Sequence, residues 1–125
     1  MIAAKDLQRL IQFQVQARIW HWQSDQYSEH TAFGKLYSDL DGLVDGLIEG
    51  LMGRDREKPL FGSMQLVIEE YFSFDNSLAK MEEFVEFCKT DLMNSTDART
   101  SPDVQNTIAG LIDTVNRVKY LGSLR

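Results

Sequence analysis

Apolar residues recur along most of this chain at three- and four-residue intervals, the period of an α-helix. The first such stretch, residues 3–22, sets Leu7, Leu10, Ile11 and Ala17 on one side. Phe13, Ile19 and Trp20 spread apolar surface to its other sides, the mark of a helix covered on more than one face. The second helix begins at Asp25 or Ser28, either of which suits a cap, and runs to residue 52. Its stripe is Phe33, Leu36, Leu40, Leu43, Val44, Leu47 and Leu51, and Gly53 is the expected stop. A third helix covers residues 73–93 on Leu78, Met81, Phe84, Val85, Cys88 and Leu92. The polar stretch NSTDARTS reads as a loop. Ser101-Pro102-Asp103 then opens a fourth helix with a cap, a first-turn proline and an early carboxylate. Val104, Ile108, Leu111, Ile112, Val115 and Val118 line that helix, which ends near Gly122.

The connections set the topology. Helices one and two, and helices three and four, are joined by short links, so each pair is expected to form an antiparallel hairpin. Residues 54–72 separate the hairpins. RDREKPLFGS carries the charge, proline and glycine of a connection, and MQLVIEEYF fits an extended or a helical segment equally well. So long a crossover allows helices two and three to run parallel.

Composition narrows the picture. A chain of 125 residues suits one domain spanning 1–125. No apolar run approaches the roughly 20 residues of a membrane span. The opening MIAAKDLQRL shows no basic leader before an apolar block, and a single cysteine cannot form an internal disulfide; the expected location is the cytoplasm. Net charge is −6 without a basic tail, since only Lys5 precedes the first helical pattern and Arg125 stands alone at the other end. Nonspecific binding to nucleic acid is therefore disfavoured.

The second helix has a face unlike an ordinary surface. On a wheel of about 100° per residue, Asp41, Asp45 and Glu49 climb away from the apolar stripe, and the last two stand roughly opposite it. Beside them runs a ridge of Gly42, Gly46 and Gly50, continued by Gly34 and Ser38. Three interior glycines cost a helix about 3 kcal/mol relative to alanine. Close approach of another helix would offset that, and the groove points away from the chain's own core. Self-association through the first two helices, at least as a dimer, is expected. In such an interface the carboxylates would lose water and need a cation.

Both histidines fall within WHWQSDQYSEH, with His21 closing the first helix and His30 opening the second. Two imidazoles and two carboxylates make a reasonable ligand set for Fe or Zn. HW at the end of a first helix, a second His, then D-x-x-x-E fifteen residues on resembles the Dps mini-ferritins. The match rests on His21-Trp22, His30, Phe33, Asp45 and Glu49. Over its whole length, including SPDVQNTI and KYLGSLR, the chain also looks like small ferritin-like proteins encoded by bacteriophages. The resemblance implies an all-α, ferritin-like four-helix bundle of two antiparallel hairpins and a long crossover. It implies a ferroxidase site shared between two subunits, with histidines from one and carboxylates from the other. His21, Asp45 and Glu49 would be the main ligands and catalytic residues for oxidation of Fe(II) by peroxide or oxygen. His30 would hold a second iron and Trp22 would lie nearby. Asp41, one turn before Asp45, could join, although a solvated role is the expected one. The copies could extend beyond a dimer into a shell, in a host-cell cytoplasm if phage-encoded. The loop from His21 to His30 is three residues shorter than the family's usual one and lacks its Gly-Pro.

Other chemistries lack their motifs. Neither G-x-x-x-x-G-K-[ST] nor G-x-S-x-G occurs, and no E-x-x-H supports a di-iron centre inside one bundle. Cys88 reads as a packed thiol, and Tyr71, Phe72 and Phe74 as core or interface aromatics. The rival reading is a non-catalytic helical interaction protein of phage type that keeps the fold and dimer face and binds a host or virion protein.

Overall fold

The computed structural model describes residues 1–124, and these are all helix, turn or irregular chain, with no strand assigned. The all-α class expected from the hydrophobic period holds. Helix α1 spans Ala4–Gln23, α2 Tyr27–Asp55, α3 Phe74–Phe87, α4 Thr96–Thr100 and α5 Pro102–Ser123. One apolar core joins Leu7, Leu10 and Trp20 of α1 to Phe33, Leu36 and Leu40 of α2, Met81 of α3 and Ile108 and Leu111 of α5.

Contacts along the helices fix their directions. Arg18 of α1 pairs with Asp41 of α2 at 2.6 Å, midway along an antiparallel hairpin whose turn holds the two histidines. Helix α5 runs antiparallel to α2. Arg54 donates to Ser101 at one end, Thr114 donates to Asp39 further along, and Leu43 packs against Gly110. Phe74, at the start of α3, packs against Gly122, where an added Cβ would stand 2.3 Å from the ring. The opposite end of α3 returns to the start of α1, where Arg9 lies over Phe87 at 4.5 Å. Between them Phe13 and Phe84 stack at 4.0 Å. Helices α2 and α3 consequently run the same way, and residues 56–73 carry the chain back the length of the molecule.

Several local expectations change. Neither Asp25 nor Ser28 caps α2: the cap position is Gln26, without a side-chain bond. Gly53 does not stop the helix, which continues to Asp55 and ends on Arg56 in the left-handed region at φ 58°. NSTDARTS contains the short helix α4, capped by the Ser95 hydroxyl on the Ala98 N–H. Ser101 stands at the cap of α5, yet its hydroxyl accepts from Arg54 instead of the helix. The last turn of the third helix widens at Cys88–Leu92, with the Met93 N–H reaching the Cys88 carbonyl. Cys88 is packed as expected, and burial pushes its thiol up to about 12. Phe74 is core, whereas Phe72 is 84% exposed. Arg125 lies outside the described residues.

From Val67 to Glu69 the crossover has the spacing of extended chain, and α1 explains why. Gln8 donates to the carbonyls of Phe61 and Ser63, and Gln12 accepts the Val67 N–H at 3.1 Å. Gln16 accepts the Glu69 N–H at 2.8 Å and donates to the Glu69 carbonyl at 2.9 Å. Gln23 accepts the Tyr71 N–H at 2.7 Å and donates to the Glu70 carboxylate. Four residues of helix advance about 6 Å, and two residues of extended chain advance about 6.6 Å. Gln12 and Gln16, four apart, can therefore meet Val67 and Glu69, two apart along an extended strap. The Tyr71 hydroxyl, donating to buried Glu29 at 2.8 Å, ties the end of the strap to α2.

Candidate functional site

The predicted site residues separate into two pairs on the outward side of the α1–α2 hairpin. Among the described residues, no three His, Cys, Asp or Glu side chains gather as a metal-ligand set within the chain.

The histidine pair is tightly built. The rings of His21 and His30 stack with centroids 3.9 Å apart. His21 Nδ1 lies 2.7 Å from the His30 carbonyl, and His30 Nδ1 lies 2.7 Å from the His21 carbonyl. A carbonyl only accepts, so both Nδ1 atoms carry the proton. In the neutral rings Nε2 is then the nitrogen with the lone pair, the tautomer a metal ligand requires. The shorter loop thus keeps His30 against His21. Gly34, one turn after His30, supplies the floor: a Cβ there would lie 2.9 Å from His21 Cε1 and 3.0 Å from Nδ1. Tyr37 meets the His21 ring edge-on at 5.3 Å, and Arg18 lies 4.9 Å above the Tyr37 ring.

Asp41 belongs to this scaffold. Its carboxylate accepts from Arg18 at 2.6 Å and from Gln14 at 3.0 Å. It is half-exposed, in keeping with the solvated role expected of it, and its ion pair fastens α1 to α2. Trp22 is 68% exposed on the last turn of α1.

The carboxylate pair has a different character. Asp45 and Glu49 are both exposed, one helical turn apart on α2. The neighbouring Asp45 carboxyl, through hydrogen bonding and mutual repulsion, holds Glu49 above the usual carboxylate range. Alongside, Gly42, Gly46 and Gly50 are exposed, and a Cβ added at any of them would meet nothing within 4 Å. The outward course of this ridge, read from the wheel, is what the structure has. Next to it on α1, Ile11, Val15 and Ile19 form a half-buried aliphatic row at four-residue spacing.

Sequence reasoning missed the Tyr37 and Arg18 supports and the glutamine row. Gln8, Gln12 and Gln16 at four-residue spacing were the available signal for the last.

The model of a family of unknown function, DUF5856, matches residues 21–121, and the chain belongs to that family. No curated protein and no solved structure matches the chain.

Proposed function

We propose that two copies of this chain pair through the outward faces of α1 and α2 and there bind and oxidise iron. His21 and His30 of one copy would face Asp45 and Glu49 of the other, in a ferritin-like bundle of the Dps type. One observation carries this reading: the two half-sites lie on the same outer face, too far apart to meet within one chain. The seat of His21 at Gly34 and the carboxylates are roughly 20 Å apart along α2, at about 1.5 Å per residue. An antiparallel two-fold would bring them together twice, with its axis midway, near Leu40 and Asp41. Exposed Ser38 and Gly42 flank that point and leave room for a second helix.

The donor chemistry fits. Neutral imidazole nitrogens and two crowded carboxylates suit Fe(II), with Zn(II) as the other candidate. Fe(II) is the substrate in this reading, and peroxide or oxygen takes the electrons. The parallel course of α2 and α3 and the long return of residues 56–73 support the ferritin-like reading. Closure of dimers into a larger shell would follow only from further contacts.

A shared site has a distinctive test. Neither His21→Ala nor Glu49→Ala alone should oxidise Fe(II), because each removes one side of both sites. Unfolding and refolding the two together should restore about a quarter of the wild-type sites, since mixed dimers keep one intact site of two. Native mass and metal analysis on the same samples report assembly and stoichiometry. No recovery in verified mixed dimers would overturn the shared site. Dimers that take up neither Fe nor Zn would favour the non-catalytic interaction protein.

A further inference from the structure

Between α1, α3 and the strap lies a cavity of about 190 Å³, lined by none of the residues of the proposed iron site. Helix α1 forms its floor, the strap one wall at Val67 and Glu69, and α3 the other. The strap hangs from Gln12 and Gln16 of α1 and reaches α3 through the Glu69–Lys80 pair. The two ends of the cavity differ. At one, Lys80 lies 3.4 Å from Glu69 and 3.8 Å from Glu83, so its charge is answered. The other end lies seven residues back along α1 from Gln16, roughly 10 Å away. There Arg9 lies over the Phe87 ring at 4.5 Å and, among the described residues, makes no ion pair or hydrogen bond. Asp6, three residues before it, is buried and beyond ion-pair reach. Gln12 gives its side-chain oxygen to the Val67 N–H, and its own N–H donors meet no acceptor among the described residues. Between the ends, Phe13 and Phe84, parallel at 4.0 Å, make an aromatic floor.

We infer that this cavity binds a small organic monocarboxylate with a flat apolar body. Its carboxylate meets Arg9 and Gln12, and its body lies over Phe13 and Phe84. A planar guanidinium offers a carboxylate two parallel N–H donors, and stacking on Phe87 leaves the edge that carries them open. Volume bounds the ligand. A cavity of about 150 Å³ accepts a benzene ring, so this one holds a ring and one carboxylate. It is smaller than the roughly 300 Å³ at which sites for drug-sized ligands begin. Charge bounds it too. Glu69 and Glu83 line the same cavity, and the second negative charge of a phosphate monoester would be repelled by them. A monoanion with its charge at the Arg9 end avoids that repulsion.

Sodium benzoate is the probe, titrated into the full chain and followed by protein NMR. The amides of Gln12, Phe13, Val67 and Phe84 and the Arg9 side-chain N–H should shift together and saturate. A Kd of about 1 mM is expected for a ligand of so few atoms. Benzamide, the uncharged counterpart, should bind about tenfold more weakly, and the benzamidinium cation should not bind. Arg9→Ala should weaken benzoate about tenfold, the worth of a charged hydrogen bond, with helical circular dichroism kept. Lys5→Ala removes a cation outside the cavity and should leave the Kd unchanged. Absence of a saturable shift at about ten times the expected Kd overturns the site. Benzamide or benzamidinium binding as tightly as benzoate overturns the carboxylate assignment. So does an effect of Lys5→Ala as large as that of Arg9→Ala.

Discussion

The two ends of the outer face of α2 are built in opposite ways. At the histidine end, the Nδ1 side of each ring is held: two rings stack, each Nδ1 meets a carbonyl, and tyrosine and arginine close around them. At the carboxylate end, two acids face solvent beside three glycines with nothing above them. The glycines themselves show the contrast. Gly34 is filled by an imidazole, while Gly42, Gly46 and Gly50 border open space. One end is finished within the chain; the other acquires its purpose only if something is laid against it.

The largest expected effect is at Gly34. A helix gains about 1 kcal/mol when an interior glycine becomes alanine, but here the new methyl meets the His21 ring at 2.9 Å. Gly34→Ala should displace the ring, break the reciprocal carbonyl bonds and abolish high-affinity Fe(II) or Zn(II) binding by calorimetry, with helicity intact. Imidazole nitrogen shifts that keep the Nδ1–H tautomer in this variant would show that the seat is not needed.

A smaller effect of opposite sign is expected at Gly46. With nothing near it, Gly46→Ala should stabilise the isolated chain by up to about 1 kcal/mol in chemical denaturation. The same change should weaken the dimer if a second helix packs there. A gain in stability at every protein concentration would make this ridge a plain surface.

The smallest concerns Asp45 and Glu49. A carboxyl whose folded pKa lies above its unfolded one favours folding on the acid side and loses that contribution as pH rises through the folded pKa. At neutral pH the pair is therefore a source of repulsion, as the raised Glu49 indicates. Asp45→Asn should bring Glu49 back toward its ordinary range in a carbon-detected NMR titration. It should also raise thermal stability slightly at pH 7, with the gain fading in acid. An unmoved Glu49 titration would mean that the two carboxyls are independent.

Much of this architecture was legible in the sequence because packing obeys period. The apolar stripes found the long helices, and the short first connection foretold the α1–α2 hairpin, while the close pairing of α2 with α5 was not announced by any connection. The outward course of Asp45, Glu49 and the glycines followed from the wheel alone. Helix ends were less accessible. Arg56 takes a left-handed turn that Gly53 was expected to provide, because the helix end is fixed by tertiary partners of Arg54 and Asp55 as well as by local preference. The strap was undecidable for a related reason: MQLVIEEYF has no period of its own, and its form is imposed by side chains some fifty residues earlier. The seat of the imidazoles depends on atoms from both helices, so neither helix's pattern announces it.

The glutamine row has one more consequence. Its fasteners to the backbone of Phe61, Ser63, Val67 and Glu69 are amides, which neither titrate nor respond to counter-ions. The last residues of the strap also hang on carboxylates: Glu69 beside Lys80, Glu70 under Gln23 and Glu29 under Tyr71. The strap carries Glu69 and Glu70 across a chain already at net charge −6, where charged clamps would loosen with acid or salt. The Arg18–Asp41 clasp between the helices is open to both influences. The middle of the crossover, around Val67, should therefore keep its place through changes of acidity and ionic strength that slacken both the hairpin it lies on and the strap's own end at Glu69–Tyr71.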